Sequence, residues 1–153
     1  MTAPEAGDAV QREVHIAARP EVVFSYFTDP VKMLQWKGTE AFLDPRPGGL
    51  YRVNVTGSEV VRGEYLELVP YSRIVFTWGW EKGPVTPGST TVEVSLTPDG
   101  DGTLLRLRHS GLDAEGQQSH LIGWEHYLPR LALAASGQDA GVDPWTQGPP
   151  TPA

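Results

Sequence analysis

The sequence predicts an α+β domain in which one curved antiparallel sheet of about seven strands wraps around a long C-terminal helix. Six short runs with strand-like alternation follow one another between residues 40 and 109, separated by turns rich in Gly and Pro. Residues 113–137 then show helical periodicity over a length of roughly 35 Å. This helix is the only predicted element large enough to cover the apolar face of such a sheet.

A strand and two short helices precede these six runs. Residues 10–17 alternate, with Val14 and Ile16 on one face, and predict a half-buried strand. Pro20 suits the first turn of a short helix, because its missing N–H costs nothing there. Asp29 and Pro30 end that helix and begin a second one over residues 31–36. We expect residues 1–9, which are small and polar, to be flexible.

The six later strands are predicted from alternating apolar residues and from the turns between them. The sequence PDGDG at 98–102 is a typical hairpin turn, and PRPGG at 45–49 is another turn. Because all the connections are short, neighbouring strands should pair antiparallel. The predicted strands cover residues 40–44, 50–55, 60–69, 73–81, 89–97 and 103–109.

The long helix has recognisable ends. Asp113 is a candidate N-cap, and Gly137 suits the position just after the helix. Pro129 lies inside and predicts a kink between Glu125 and Pro129, since it lacks a backbone donor. One helical face is predicted to contain Leu121, Trp124, Leu128, Leu131 and Ala135.

The chain of 153 residues fits a single domain over residues 10–137. Residues 138–153 are rich in Gly, Pro and small polar residues, so we expect a disordered tail apart from a contact by Trp145. No internal repeat is visible.

Composition excludes several functions. A formal net charge of -7 argues against binding to nucleic acid or to an anionic membrane surface. No segment approaches the ~18 apolar residues of a membrane span, and no signal-peptide pattern begins the chain. With no cysteine, thiolate chemistry and disulfides are absent. A cytoplasmic location fits these features.

The sequence contains no recognisable catalytic or metal-binding motif. His-Glu-x-x-His, Gly-x-Ser-x-Gly and phosphate-loop patterns do not occur. His120 and His126 are six residues apart, so they do not share one helical face. We therefore predict no metal, no cofactor and no catalytic residue from motifs alone.

Aromatic residues form the most informative set. Each one alone is explained by core packing. As a set they indicate a cavity, because a curved sheet and a helix held at a distance leave space between them. The predicted ligand-binding residues are Trp36, Tyr51, Tyr65, Phe76, Trp78, Trp80, His120, Trp124 and Leu128.

A few polar residues are candidates to point inward. They are Glu64, Arg108, His109 and His120, and each is alternatively a solvated or hydrogen-bonded rim residue. His120 borders the buried helical face one residue before Leu121. It is the best candidate for an acid or base near neutral pH.

An ordered series of short motifs runs through the chain. It consists of RPEVVF at 19–24, Trp36, DPRPGG at 44–49, GEYLE at 63–67 with Pro70, IVFTW at 74–78, Gly102, Thr103, His109, Gly123, Trp124, Leu128 and Leu131. This series resembles the START-related helix-grip (SRPBCC) superfamily and, within it, the family of the C-terminal domain of the activator of heat-shock-protein-90 ATPase. The resemblance covers about residues 10–136 and implies a deep cavity between sheet and helix, of the kind that holds lipids, polyketides or hormones or serves as an active site. The chaperone activator itself carries a separate N-terminal domain engaged in chaperone binding, which we do not expect in this chain.

Three functions remain open from the sequence. The favoured one is binding of a small, mostly apolar molecule such as a lipid, polyketide or aromatic metabolite. The second is a protein-interaction module whose partner is a chaperone. The third is a cyclase or hydrolase that uses His120 or Glu64 as a general base. The sequence favours binding over catalysis because it offers no convergent catalytic pair.

Overall fold

The computed structural model describes residues 9–147 and confirms the predicted α+β fold. The described residues form one seven-stranded antiparallel sheet, two short helices after the first strand and one long helix. The helices are α1 (Pro20–Ser25), α2 (Pro30–Met33) and α3 (Ala114–Ala135), followed by a 3-10 helix, Pro144–Gln147. The strands are β1 (Ala9–Ile16), β2 (Glu40–Leu43), β3 (Leu50–Asn54), β4 (Val60–Val69), β5 (Arg73–Trp78), β6 (Thr90–Asp99) and β7 (Gly102–Ser110).

The sheet has the strand order β1-β7-β6-β5-β4-β3-β2. Strands β2 to β6 each pair with the next strand in the chain, as their short connections predict. β1 joins the sheet beside β7, where Val10 lies opposite His109. A single apolar face results, and α3 lies across it.

The two short helices begin as their sequences predict. Pro20 and Pro30 each occupy the first turn. The Asp29 carboxylate caps α2 by accepting from the backbone N–H groups of Val31 at 2.9 Å and Lys32 at 3.4 Å. Five residues after the end of α2, the chain turns at Gly38, whose φ of 98° suits glycine. This turn fixes the position of the preceding residue, Lys37.

The predicted caps of the long helix are both present. Asp113 accepts from the Gly116 N–H at 2.7 Å. At the other end Gly137 has φ of 89° and donates to the Ala134 carbonyl, while Gln138 donates to the Leu133 carbonyl. This pair of bonds is a Schellman motif, which satisfies carbonyls that the helix leaves free.

The buried face of α3 differs slightly from the predicted one. Leu121 lies at its edge and is half-buried, whereas Tyr127 and Ala134 are fully part of it. Pro129 is exposed, and the helix continues through it from Ala114 to Ala135 without interruption. The donor that Pro129 lacks therefore falls on the solvent side of the helix.

Strand β5 ends earlier than the sequence predicts. The predicted strand covered residues 73–81, but the ladder stops at Trp78. At Gly79 a Cβ atom would lie 1.8 Å from the Thr86 carbonyl, so only glycine allows this close approach. Trp80 rejoins the sheet through an isolated bridge to Val61.

Charged side chains cover the outer face of the sheet. Glu93 on β6 forms ion pairs with Arg73 at 2.9 Å and Arg108 at 3.5 Å. Arg106 pairs with Glu13 at 2.6 Å across β7 and β1. Arg108, a candidate for an inward position, therefore lies on this outer face.

Residues 138–147 lie against α3, although their composition predicted disorder for 138–153. Arg130 donates to the carbonyls of Ala140 at 3.0 Å and Gly141 at 2.9 Å. Asp143 is buried and accepts from the Tyr127 hydroxyl at 2.7 Å. Composition does not reveal these specific polar contacts, which hold a segment that has little apolar surface. Residues 1–8 and 148–153 of the predicted flexible ends lie outside the described residues.

Candidate functional site

A cavity of about 260 Å³ lies between the sheet and the first half of α3. Four of the nine predicted ligand-binding residues line it: Trp78, Trp80, His120 and Trp124. We call this part of the interior the hollow end. Other depressions of the described surface reach about 480 to 660 Å³, but they are more open and contain at most one aromatic side chain.

The other five predicted residues fill the rest of the interior. This filled end consists of Trp36, Tyr51, Tyr65, Phe76 and Leu128, which are all buried and do not border the cavity. Tyr51 stacks on Phe76 with ring centroids 4.3 Å apart. The Tyr65 hydroxyl donates to the Phe27 carbonyl at 2.8 Å, and the Trp36 indole donates to the Tyr26 carbonyl at 3.1 Å. Core packing is therefore sufficient to explain these positions.

Lys37 is the most unusual residue of the hollow end. Its side chain is 2% exposed and borders the cavity, and its Nζ donates to the Tyr51 hydroxyl at 3.1 Å. Four aromatic rings surround Nζ at distances that allow cation–π attraction. The ring centroids lie at 4.4 Å for Trp78, 5.0 Å for Trp124, 5.2 Å for Trp36 and 5.7 Å for Tyr51.

Burial changes the ionisation of Lys37. It lowers the pKa of the amine from 10.5 to about 7, because the cation loses its hydration. Burial is the cause of this shift, and no carboxylate among residues 9–147 forms an ion pair with Lys37. The amine is therefore poised between its charged and neutral forms near neutral pH.

His109 is inward-facing and fully buried behind Trp124. The Trp124 indole donates to His109 Nδ1 at 3.1 Å, so the ring proton is on Nε2. Nε2 then donates to the Thr90 hydroxyl at 2.9 Å, and Thr90 donates to the Trp78 carbonyl at 2.7 Å. Burial, reinforced by His120 and Lys37, lowers the pKa of His109 to about 2. This histidine is a neutral structural link.

His120 lies on the cavity wall, but both of its ring nitrogens are engaged. Nδ1 donates to the Gly116 carbonyl at 2.8 Å, and Nε2 accepts from the Trp80 indole at 3.0 Å. Burial lowers its pKa, opposed in part by the bond to Gly116. A general base needs a free nitrogen, and in this arrangement His120 would have to release Trp80 first. Glu64, the other candidate base, is exposed outside the cavity.

Trp78 contributes an unmatched donor. Its indole nitrogen is buried and has no hydrogen-bond partner within the described part of the chain. Buried polar groups usually have partners, and leaving one unpaired costs about 1–3 kcal/mol. Trp78 lines the cavity and lies under the Lys37 Nζ. The hollow end therefore contains a buried donor that the described residues leave unpaired.

The C-terminal segment completes the cavity. Trp145 stacks on His126 with ring centroids 3.8 Å apart and borders the cavity together with Tyr127. The Asp143 carboxylate positions both Tyr127 and His126. It accepts from the Tyr127 hydroxyl and is hydrogen-bonded to His126 Nε2 at 2.7 Å. These hydrogen bonds lower the pKa of Asp143 despite its burial. Residues 138–147 thus form part of the site.

The sequence alone did not identify Lys37, Tyr127 or Gly123 as cavity residues. Tyr127 had a detectable signal, because it lies three residues after Trp124 on the same helical face. Lys37 had almost none, since a lysine between a short helix and a strand is normally exposed. Its burial depends on the turn at Gly38 and on rings contributed by distant strands.

Two further findings limit the chemistry. Within residues 9–147, no group of three or more His, Asp or Glu side chains is arranged to hold a metal ion. None of the helices in the same part of the chain is both long enough and apolar enough to cross a membrane.

Solved structures show the same fold. An AHSA1-like protein of Rhizobium etli is 52% identical, with a TM-score of 0.72, and the match covers 89% of this chain and 86% of that one. DynU16, from the dynemicin biosynthetic locus, is 25% identical over 89% of this chain and 50% of its own, with a TM-score of 0.75. An Hsp90 activator of Plasmodium falciparum is 22% identical over 82% and 91%, with a TM-score of 0.68, and at that identity shows the fold alone. A comparison with curated proteins found no match.

The family profile described as Activator of Hsp90 ATPase homolog 1-like protein matches residues 17–135. This region runs from the end of β1 to the last residue of α3, so it includes every cavity residue except Trp145. The chain therefore belongs to the Activator of Hsp90 ATPase homolog 1-like protein family.

Proposed function

We propose that this protein binds a small, mostly apolar molecule in the cavity of the hollow end. The observation that carries this proposal is unfilled space beside aromatic walls in a core that is otherwise closely packed. A dry cavity of about 150 Å³ accepts benzene in other proteins. A volume of about 260 Å³ therefore suits a somewhat larger planar body, such as two fused rings.

The shape of the wall supports an aromatic or polyene ligand. Trp78 and Trp80 meet edge to face with centroids 5.6 Å apart, and Trp124 lies 5.2 Å from Trp78. Flat indole surfaces favour flat partners through stacking and edge contacts. The relationship to DynU16, whose gene lies in a biosynthetic locus, is consistent with a ligand of the polyketide kind.

A co-chaperone role is the second candidate, and exposed apolar side chains are the observation that favours it. Phe42 on the edge strand β2 is 66% exposed, and Tyr71 between β4 and β5 is 54% exposed. Exposed aromatic residues on an edge are typical of protein contacts. An Hsp90 ATPase assay at saturating protein tests this role, and an unchanged rate would exclude it.

An enzymatic role has less support. His120 is tied by Gly116 and Trp80, and His109 is neutral and buried. Burial lowers the pKa of Lys37 to about 7, and among residues 9–147 its Nζ has one hydrogen-bond partner, the Tyr51 hydroxyl, so no convergent acid–base pair forms there. The geometry supports binding better than turnover.

Gly123 offers a direct test of the binding site. It lies on α3 at the cavity wall, and a Cβ built on it meets no atom within 4 Å. Gly123→Leu should fill the cavity without disturbing the helix, and Gly123→Ala is the matched control. Both replace a helical glycine, which should raise the free energy of unfolding by up to about 1 kcal/mol.

The measurement is quenching of tryptophan fluorescence on titration with naphthalene, naphthoate, an anthraquinone and a fatty acid. We expect at least one of these probes to bind the unchanged protein and Gly123→Ala, and to lose most of its affinity for Gly123→Leu. Equal affinity for all three proteins would place the binding outside this cavity. Failure of every probe to quench the folded protein would contradict the proposed function.

A further inference from the structure

Lys37 presents an imbalance that the apolar character of the cavity does not explain. A lysine ammonium has three N–H donors and no acceptor. Only one of these has a hydrogen-bond partner among the described residues, the Tyr51 hydroxyl. Fully buried lysines are rare unless paired, because the cation loses several kcal/mol of hydration.

The other polar groups of the wall are already paired. His120 Nε2 accepts from Trp80, and His109 Nδ1 accepts from Trp124. The Tyr127 hydroxyl donates to Asp143. Glu59 also lines the cavity, but it is an exposed residue, and its carboxylate accepts from the Thr56 hydroxyl at 3.4 Å. The unmatched groups that remain are donors: the Lys37 ammonium and the Trp78 indole N–H.

We propose that the ligand carries an anionic oxygen, which binds Lys37 Nζ while the planar apolar body of the ligand lies against Trp80 and Trp124. This inference rests on the proposed function and adds the chemical class of the ligand. A carboxylate on an aromatic ring is the simplest member of the class, and a phenolate or enolate shares its chemistry. The oxygen supplies an acceptor and a negative charge to Lys37 Nζ, which has one hydrogen-bond partner and no ion pair among the described residues.

The aromatic rings around Lys37 explain how the empty site keeps its lysine buried. Four ring faces stabilise the cation, with Trp78 at 4.4 Å. The rings offer no lone pair that accepts a hydrogen bond, so they leave the N–H groups of the ammonium available to a ligand.

The test compares ligands of one shape with and without the charge. Naphthoate, its neutral amide and naphthol are titrated at about pH 6, where Lys37 is charged. Lys37→Met replaces the ammonium with an apolar group of similar size. Lys32→Met is the matched control, because it removes the same charge from α2, where Lys32 bonds Ser25 outside the cavity.

We expect the unchanged protein and Lys32→Met to prefer naphthoate over the amide by about tenfold or more, as charge-assisted hydrogen bonds imply. Lys37→Met should lose this preference and still bind the amide. Naphthol, whose phenolic hydroxyl ionises only at about pH 10, is a second uncharged probe at about pH 6, and a preference for it over naphthoate would contradict an anionic ligand. Circular dichroism checks that each variant is folded.

The outcomes separate this inference from the proposed function. If the amide binds but naphthoate has no advantage, or keeps its advantage in Lys37→Met, the anionic class is wrong and the apolar cavity stands. If naphthalene binds the unchanged protein but naphthoate and its amide do not, the anionic class is wrong and the apolar cavity stands. If naphthalene, the anthraquinone and the fatty acid fail to bind as well, the proposed function itself fails.

Discussion

The filled end and the hollow end of the interior are built from the same residue types but satisfy their polar atoms differently. In the filled end, Trp36 and Tyr65 donate to backbone carbonyls of the segment that joins α1 to α2. In the hollow end, Trp80 and Trp124 donate to side chains, His120 and His109. Backbone acceptors are fixed, so they make a rigid core. Side-chain acceptors can be rearranged, so they suit a site.

This difference teaches that aromatic content alone does not locate a cavity. Both ends contain at least three large rings in mutual contact. The hollow end is distinguished by a buried cation, an unpaired indole N–H and unfilled volume. Variants that change one end and not the other test whether the division is real.

Removing one aromatic ring from each end should give the largest difference in the free energy of unfolding. Phe76 is fully buried and stacked on Tyr51, so Phe76→Ala should lower the free energy of unfolding by about 3–5 kcal/mol. Trp80→Ala only enlarges an existing, partly open cavity and should cost less than half as much. Urea denaturation of both variants measures the contrast. Equal losses would mean that the two ends do not differ in packing.

Replacing the buried cation should stabilise the protein, whereas removing an aromatic ring destabilises it. Lys37→Met removes an unhydrated charge and conserves volume, so it should raise the free energy of unfolding by a few kcal/mol at pH 6. The pKa of the amine is about 7 in the folded protein and 10.5 in the unfolded chain. Between these values the unfolded chain binds more protons, so the stability of the unchanged protein rises with pH.

The gain from Lys37→Met should therefore be largest below pH 7 and disappear as pH approaches 10. The other groups around Lys37 do not titrate in this window. Burial raises the pKa of Tyr51 and lowers the pKa values of His109 and His120. Denaturation of both proteins at several pH values checks the prediction. A gain that does not depend on pH would show that Lys37 is already neutral or has an unrecognised partner.

The chain of hydrogen bonds behind the hollow end should contribute an intermediate amount to the free energy of unfolding. Thr90→Val keeps the shape of the side chain but leaves the His109 N–H and the Trp78 carbonyl unpaired. The expected loss is about 1–3 kcal/mol in the free energy of unfolding. Thr97→Val, at an exposed position on the same strand, is the control. Equal effects at both positions would indicate that the chain of bonds adds nothing.

Sequence patterns predicted the fold much better than the site. The helix caps at Asp113 and Gly137 and the order of strands follow from local periodicity and turn chemistry. The division between filled and hollow ends depends on packing between distant elements, which periodicity does not contain. Lys37 illustrates this, since its neighbours Tyr51, Trp78 and Trp124 come from three other parts of the chain.

The smallest expected change in the free energy of unfolding comes from removing a donor to a side-chain acceptor of the hollow end, compared with a donor to a backbone acceptor of the filled end. Trp80→Phe removes the donor to His120 Nε2, a side-chain nitrogen beside the cavity, and should cost only about 1 kcal/mol. Trp36→Phe leaves the buried Tyr26 carbonyl unpaired and should cost more. Burial still lowers the pKa of His120 in both variants, but the freed Nε2 can take up a proton in Trp80→Phe, so the pKa of His120 should be higher there than in Trp36→Phe. Titration of the His120 ring by NMR measures this directly. A His120 pKa that is equal in the two variants would show that the side-chain acceptor of the hollow end is as fixed as the backbone acceptors of the filled end.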